Sequence, residues 1–151
     1  MAIPLGWEAV TLRDHNVSLV KAHLKNLDHN QYFKYSHLIT KLIFQETMDS
    51  GHSYKFNRLE LLELLNQLPN LKEIDFKQIY YPEKYVGYLL DADMQHINNI
   101  DTGSNLYYIR SDLLFSVYYK FRSSITCISL LYNQNMINPN SQQINILNSL
   151  T

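Results

Sequence analysis

The sequence predicts an α/β chain in which short parallel strands alternate with helices along a curved solenoid, and three observations predict it. Apolar residues recur in the spacing L-x-x-L-x-L at nearly regular intervals, the stretches between the recurrences carry the period of amphipathic helices, and no compositional break divides the chain. Five units fill the 151 residues, which read as a single domain over 1–151.

The clearest unit is Leu71-Lys-Glu-Ile74-Asp-Phe76. Twenty-six residues on, Ile97-Asn-Asn-Ile100-Asp-Thr102 repeats its register, with Ile97 answering Leu71, Ile100 answering Ile74 and Asp101 answering Asp75. Ile125-Thr-Cys-Ile128-Ser-Leu130 follows after twenty-eight residues, while Ile39-Thr-Lys-Leu42-Ile-Phe44 and Trp7-Glu-Ala-Val10-Thr-Leu12 precede at intervals of thirty-two. Three apolar positions are met by chance about one time in ten in a chain this apolar, so the spacing rather than any single match carries the argument. The pattern also expects Asn three residues past its last apolar position; Asn105 and Asn133 fit, and His15, Thr47 and Ile79 do not.

Between the units, Val17, Val20, Leu24 and Leu27 follow Asp14 at helical spacing. Asn57 caps the next helix, with Glu60 in capping-box position and Leu61, Leu62, Leu64, Leu65 and Leu68 on its buried side, until Pro69 discourages continuation. Pro82 opens a short helix presenting Val86, Leu89 and Leu90. Ser104 caps a longer one whose Leu106, Ile109, Leu113, Val117 and Phe121 share a face. Ser141, after the loop Asn138-Pro-Asn140, begins a last turn with Ile144 and Leu147. Residues 29–37 show no clear period, and 45–56 read as a polar loop around Gly51.

In such an array each helix returns the chain to start the next parallel strand. The first, fourth and sixth residues of each unit then point inward, and the alternate ones face outward: Ala9, Thr11 and Arg13; Lys41, Ile43 and Gln45; Glu73, Asp75 and Lys77; Asn99 and Asp101; Cys127 and Ser129. This mixture of charge, amide and hydroxyl suits a protein partner better than a buried small molecule. Lys41, Glu73, Asp75, Lys77, Asn99 and Asp101 are its candidate partner-binding residues. The competing reading is an all-α bundle, with 57–80 as a helical hairpin and 106–132 as one long helix, which suggests a helical adaptor or inhibitor.

Composition narrows the function classes. Thirteen Lys and Arg against fourteen Asp and Glu supply no excess of positive charge for a phosphate backbone, so the balance argues against a nucleic-acid-binding domain. The single cysteine, Cys127, cannot form an internal disulfide, and the opening residues lack the basic start and apolar run of a secretory signal. The expected compartment is cytoplasmic or nuclear, with no membrane span. The sequon Asn16-Val17-Ser18 has meaning only in a secreted protein.

The six histidines show no H-E-x-x-H or Cys/His ligand spacing, and Asp91, Asp93 and Asp101 lie in no calcium-loop pattern, so no metal or other cofactor is expected. Cys127 reads as a packing or sheet-face residue rather than a nucleophile. No nucleophile elbow, phosphate-binding loop or dinucleotide turn occurs, and the chain reads as non-enzymatic, although a site whose residues meet only in space leaves no motif. Tyr107, Tyr108, Tyr118 and Tyr119, interleaved with Arg110, Lys120 and Arg122, have the composition of a base-stacking surface but spread around more than one helix face.

The run Leu61-Leu-Glu-Leu-Leu-Asn-Gln-Leu-Pro-Asn-Leu-Lys-Glu-Ile-Asp-Phe76, the two Asn-bearing units and the opening Trp7-Glu-Ala-Val-Thr-Leu12 resemble the leucine-rich-repeat region of F-box proteins of the irregular fungal kind, over nearly the whole chain. In that family the F-box docks on a cullin-type ubiquitin ligase and the repeats hold the protein to be modified. Nothing before Trp7 reads as an F-box, so the resemblance implies recognition of a protein by the strand face and leaves the role of ligase adaptor without its docking element. The last helix lacks a polar cap, which points to ends covered by a partner or a second copy.

Overall fold

The computed structural model describes residues 8–13, 16–29, 34–46, 48–49, 52–53, 56–103 and 108–126. Its elements run in the order β1 (Ala9–Arg13), α1 (Val17–Leu27), a 3-10 turn (Tyr35–His37), β2 (Lys41–Gln45), β3 (Met48–Asp49), β4 (His52–Ser53), α2 (Arg58–Asn66), β5 (Glu73–Gln78), α3 (Glu83–Asp91), β6 (Asn99–Asp101) and α4 (Ser111–Lys120). The fold is α/β. A four-stranded sheet has the order β1-β2-β5-β6 with every neighbouring pair parallel, so the strands lie side by side in the order in which they are made.

The apolar recurrences fall into one register. Val10 is opposite Leu42, Leu42 opposite Ile74, and Ile74 opposite Ile100. Each unit also joins its predecessor by the same backbone bond: the amide of Thr40 donates to the Glu8 carbonyl at 2.9 Å, Lys72 to Thr40 at 2.8 Å, Asn98 to Lys72 at 2.7 Å and Thr126 to Asn98 at 2.9 Å. The fifth unit is therefore entered like the others. Its remaining residues, with Cys127, Ser129, Asn133 and the helix expected after Ser141, lie outside the described residues, as do Trp7, Asp14, His15, Ser104, Asn105, Leu106 and Tyr107.

The helices form a second layer in the same order, α1 against α2, α2 against α3 and α3 against α4. The core fills the space between the layers. Leu12, Leu42, Phe44, Ile74, Phe76 and Ile100 come from the inner face of the sheet, and Leu24, Leu61, Leu64, Leu65, Val86 and Leu89 from the helices; all are fully or nearly fully buried. Phe44 stacks on Phe76 with ring centroids 4.8 Å apart and meets Phe56 edge-on at 5.3 Å, and Phe56 meets Tyr85 edge-on at 5.3 Å. Burying each of these rings stabilises the fold by about 1.5–3 kcal/mol, which makes this aromatic seam its densest anchor.

Local signals explain several boundaries. The Asn57 side chain accepts hydrogen bonds from the amides of Leu59 (2.9 Å) and Glu60 (3.3 Å), the N-cap read from the sequence. Glu60 does not complete a capping box; its carboxylate takes the Ser18 hydroxyl at 2.6 Å, beside the Lys21 to Glu63 pair, and so joins α1 to α2. Arg58 joins α2 to α3 through Asp91 at 2.7 Å. Lys120 donates to the carbonyls of Leu89 (2.7 Å), Leu90 (3.1 Å) and Ala92, capping the last turn of α3 from α4. Burial pushes its ammonium below the ordinary lysine value, against the opposing pull of Asp91 and Asp93.

The competing all-α reading fails, because residues 73–78 form the expected strand and not the second arm of a helical hairpin. Three expectations are corrected. The α4 helix begins at Ser111 rather than Ser104, because Gly103 at φ 54° turns the chain off β6 and Ile109 is buried in the approach to the helix. Leu90 is exposed, and Tyr85 and Tyr88 complete the inner face of α3 beside Val86 and Leu89. The segment read as a loop over 45–56 contains a two-residue antiparallel pair, with Met48 opposite Ser53 and Asp49 opposite His52.

Candidate functional site

Because the described helices occupy one side of the sheet, no described element covers its other side, and the alternation of the strands brings the predicted outward residues into cross-strand rows. In one row Lys41, Glu73 and Asn99 are in register, and the Lys41 ammonium lies 3.3 Å from the Glu73 carboxylate. In the next, Thr11, Ile43, Asp75 and Asp101 are aligned. At the strand ends the Arg13 guanidinium donates to the Gln45 side chain at 3.1 Å. An extra residue on β5 there places Gln78 opposite Gln45, although Glu73 is opposite Lys41.

Lys77 ties the second row together. Its ammonium lies 3.1 Å from Asp101 and 3.3 Å from Asp75, and these two hold it above the ordinary lysine value, Asp101 most strongly. Each aspartate also accepts the backbone amide two residues on: the Asp75 carboxylate takes the Lys77 amide at 2.9 Å, within β5 where its register on β2 shifts, and that of Asp101 takes the Gly103 amide at 3.0 Å, just past β6. The same local aspartate-to-amide bond thus occurs twice, which gives a physical reason for the repeated Asp in the sequence.

The six predicted binding residues therefore do share one surface, but not as equals. Lys41, Glu73, Lys77, Asn99 and Asp101 are exposed or half-exposed. Asp75 is a correction: it is 6% exposed, covered as Lys77 folds over it, and its carboxylate serves the amide and the ammonium of that lysine. Gly103 makes room for this, since a Cβ there would stand 2.8 Å from the Lys77 Cγ.

The remaining candidates disperse. Asp91 pairs with Arg58, and the Asp93 backbone amide donates to Asn66 at 2.9 Å. Among the described residues no group of three or more His, Cys, Asp or Glu could hold a metal ion. No described helix is long and apolar enough to cross a membrane. The tyrosine and basic residues near α4 do not make one surface: Tyr118 is buried, Arg122 stacks on Tyr119, Lys120 caps α3, and Arg110 pairs with Glu83 at 2.9 Å.

Two surface features went unread in the sequence. A groove of about 710 Å³ runs along the β1 end of the array between β1 and α1, lined by Val10, Asn16, Leu19, Val20 and His23 among others. At the rim beyond the carboxyl ends of β5 and β6, Tyr80, Tyr81 and Tyr108 are 56%, 70% and 53% exposed. The dipeptide Tyr80-Tyr81 before Pro82 was the available signal, since bulky rings in a strand-to-helix turn have no core position to fill. Comparisons of the chain with protein-family models, with curated proteins and with solved structures find no match.

Proposed function

We propose that this protein is a short solenoid of the leucine-rich-repeat kind that holds another protein on the open face of its sheet. The observation that carries the reading is the division of labour within the sheet: strands added in sequence order, one face covered by helices, and the other presenting rows of charge and amide that include Lys41, Glu73, Asn99 and Asp101. The recurring bond from Glu8 to Thr126 supports the repeat, since it restarts each unit identically at steps of different length. The order of the described strands does not reverse, so these strands do not form the switch-point crevice in which open α/β sheets take small ligands. That favours surface recognition over catalysis. The proposal concerns recognition and does not extend to a ubiquitin ligase.

The paired change Glu73→Lys with Asn99→Lys tests it, because both positions are half-exposed and neither holds a strand end. Affinity capture with quantitative mass spectrometry should show specific partners of the wild-type chain falling about tenfold with the double variant, at unchanged circular dichroism. Capture unaltered by the charge reversal would sink this surface as the binding site.

A further inference from the structure

The exposed tyrosines at the rim have a geometry the sheet face does not use. Tyr81 stands in the turn from β5 to α3 and Tyr108 in the turn from β6 to α4, corresponding places in successive units. Their rings meet edge to face, centroids 5.3 Å apart and planes at 69°, so together they form a corner in which two large aromatic surfaces face water. Tyr80 beside them is anchored through its amide, which donates to the Glu46 carboxylate at 3.1 Å.

Other tyrosines of this protein show what such rings do when a cation is within reach. The Arg122 guanidinium lies 4.3 Å from the centre of the Tyr119 ring, and Tyr88 has Arg58 and Lys84 each at 5.8 Å. Among the described residues no cation lies over Tyr81 or Tyr108; Arg110, two residues past Tyr108 in the chain, pairs with Glu83 at 2.9 Å and lies 3.8 Å from Asp112. Among the described residues the charged groups around these two turns are Glu46, Asp75, Glu83, Asp101 and Asp112 against Lys77, Lys84 and Arg110. This acidic balance exceeds what offsets the positive amino-terminal ends of α3 and α4. It draws cations and repels phosphate.

We infer that the Tyr81–Tyr108 corner is a seat for a basic side chain of a protein partner, an arginine or lysine held against the ring faces and steered by the surrounding carboxylates. The seat lies outside the sheet face and stands whether or not that face binds a partner. Its test is a titration of the full isotopically labelled chain with the probe peptide acetyl-Gly-Arg-Gly-Arg-Gly-amide, followed by backbone amide shifts. The expected result is saturable movement of the amides of Tyr80, Tyr81, Tyr108 and Ile109. The pair Tyr81→Leu with Tyr108→Leu should raise the apparent Kd about tenfold, and Tyr81→Phe with Tyr108→Phe should leave it close to wild type, because the ring face rather than the hydroxyl makes the contact. Glu73→Lys with Asn99→Lys should leave the titration unchanged, which separates this seat from the sheet face. The inference is overturned if the leucine pair binds the peptide as well as wild type does, if no saturable shift occurs, or if a single-stranded oligothymidylate moves these amides and the peptide does not.

Discussion

The two faces of the sheet are built from the same strands, one residue apart, and they are held by different physics. On β5, Ile74 and Phe76 point into the space between the layers and are almost wholly buried, while Glu73 and Lys77 on the alternate positions reach water. The inner face gains by removing apolar area from solvent, about 25 cal/mol per Å². The outer face is joined by exposed ion pairs of the kind worth roughly 0–1 kcal/mol each. Stability thereby rests on the inner residues of each strand, and the recognition proposed for this protein on the outer ones, whose exchange should cost the fold little. Asp75 departs from this division: by position it belongs to the outer face, and by burial to the structure.

Substitutions graded by size test that division. Phe76→Ala removes a ring from the aromatic seam and should cost about 3–5 kcal/mol in urea unfolding; a loss below about 1 kcal/mol would mean that the inner face is not the load-carrying one. Asp75→Asn should cost about 1–3 kcal/mol despite its outward position, because a buried carboxylate bonded to an amide and an ammonium loses its charge; a neutral outcome would return Asp75 to the recognition surface. Gly103→Ala should cost about 1–2 kcal/mol, since the residue has positive φ and the new methyl group would press on the Lys77 stem. Glu73→Gln should stay within about 0.5 kcal/mol of wild type by the same unfolding measurement.

The smallest effect is one of pH. Lys77 has a folded-state pKa above its ordinary value of 10.5, so its favourable contribution is fully present below that value and is lost as pH rises through the raised one. The stability difference between wild type and Lys77→Met should therefore hold constant through neutral pH and narrow only in strong alkali. A difference that already narrows between pH 7 and about 9 would show that other groups dominate the row.

Much of this was legible in the sequence because it depends on period. Alternation placed Leu42 with Ile74 and Ile100 on one face and Lys41 with Glu73 and Asn99 on the other, and the structure shows those registers. The Asn57 cap was legible because capping is local chemistry. What was not legible depends on residues that meet across elements. Whether Asp75 is exposed is decided by how Lys77 folds over it and by the room that Gly103 leaves. Nothing in the sequence distinguishes Leu90, which faces water, from Leu89, which is buried, until the angle of α3 on its neighbours is known. The Tyr81–Tyr108 corner joins two turns 27 residues apart, and proximity of that kind leaves no local pattern.

The bond that opens each unit, from amide to preceding carbonyl, spans thirty-two residues twice, then twenty-six, then twenty-eight, and its geometry does not change. Register across the sheet is consequently independent of how much chain lies between two strands. The differences in length are taken up in the segments that connect one strand to the next. What keeps such a chain in step is therefore the recurring bond and the inward apolar positions of each strand, while the path between strands is free to vary in length.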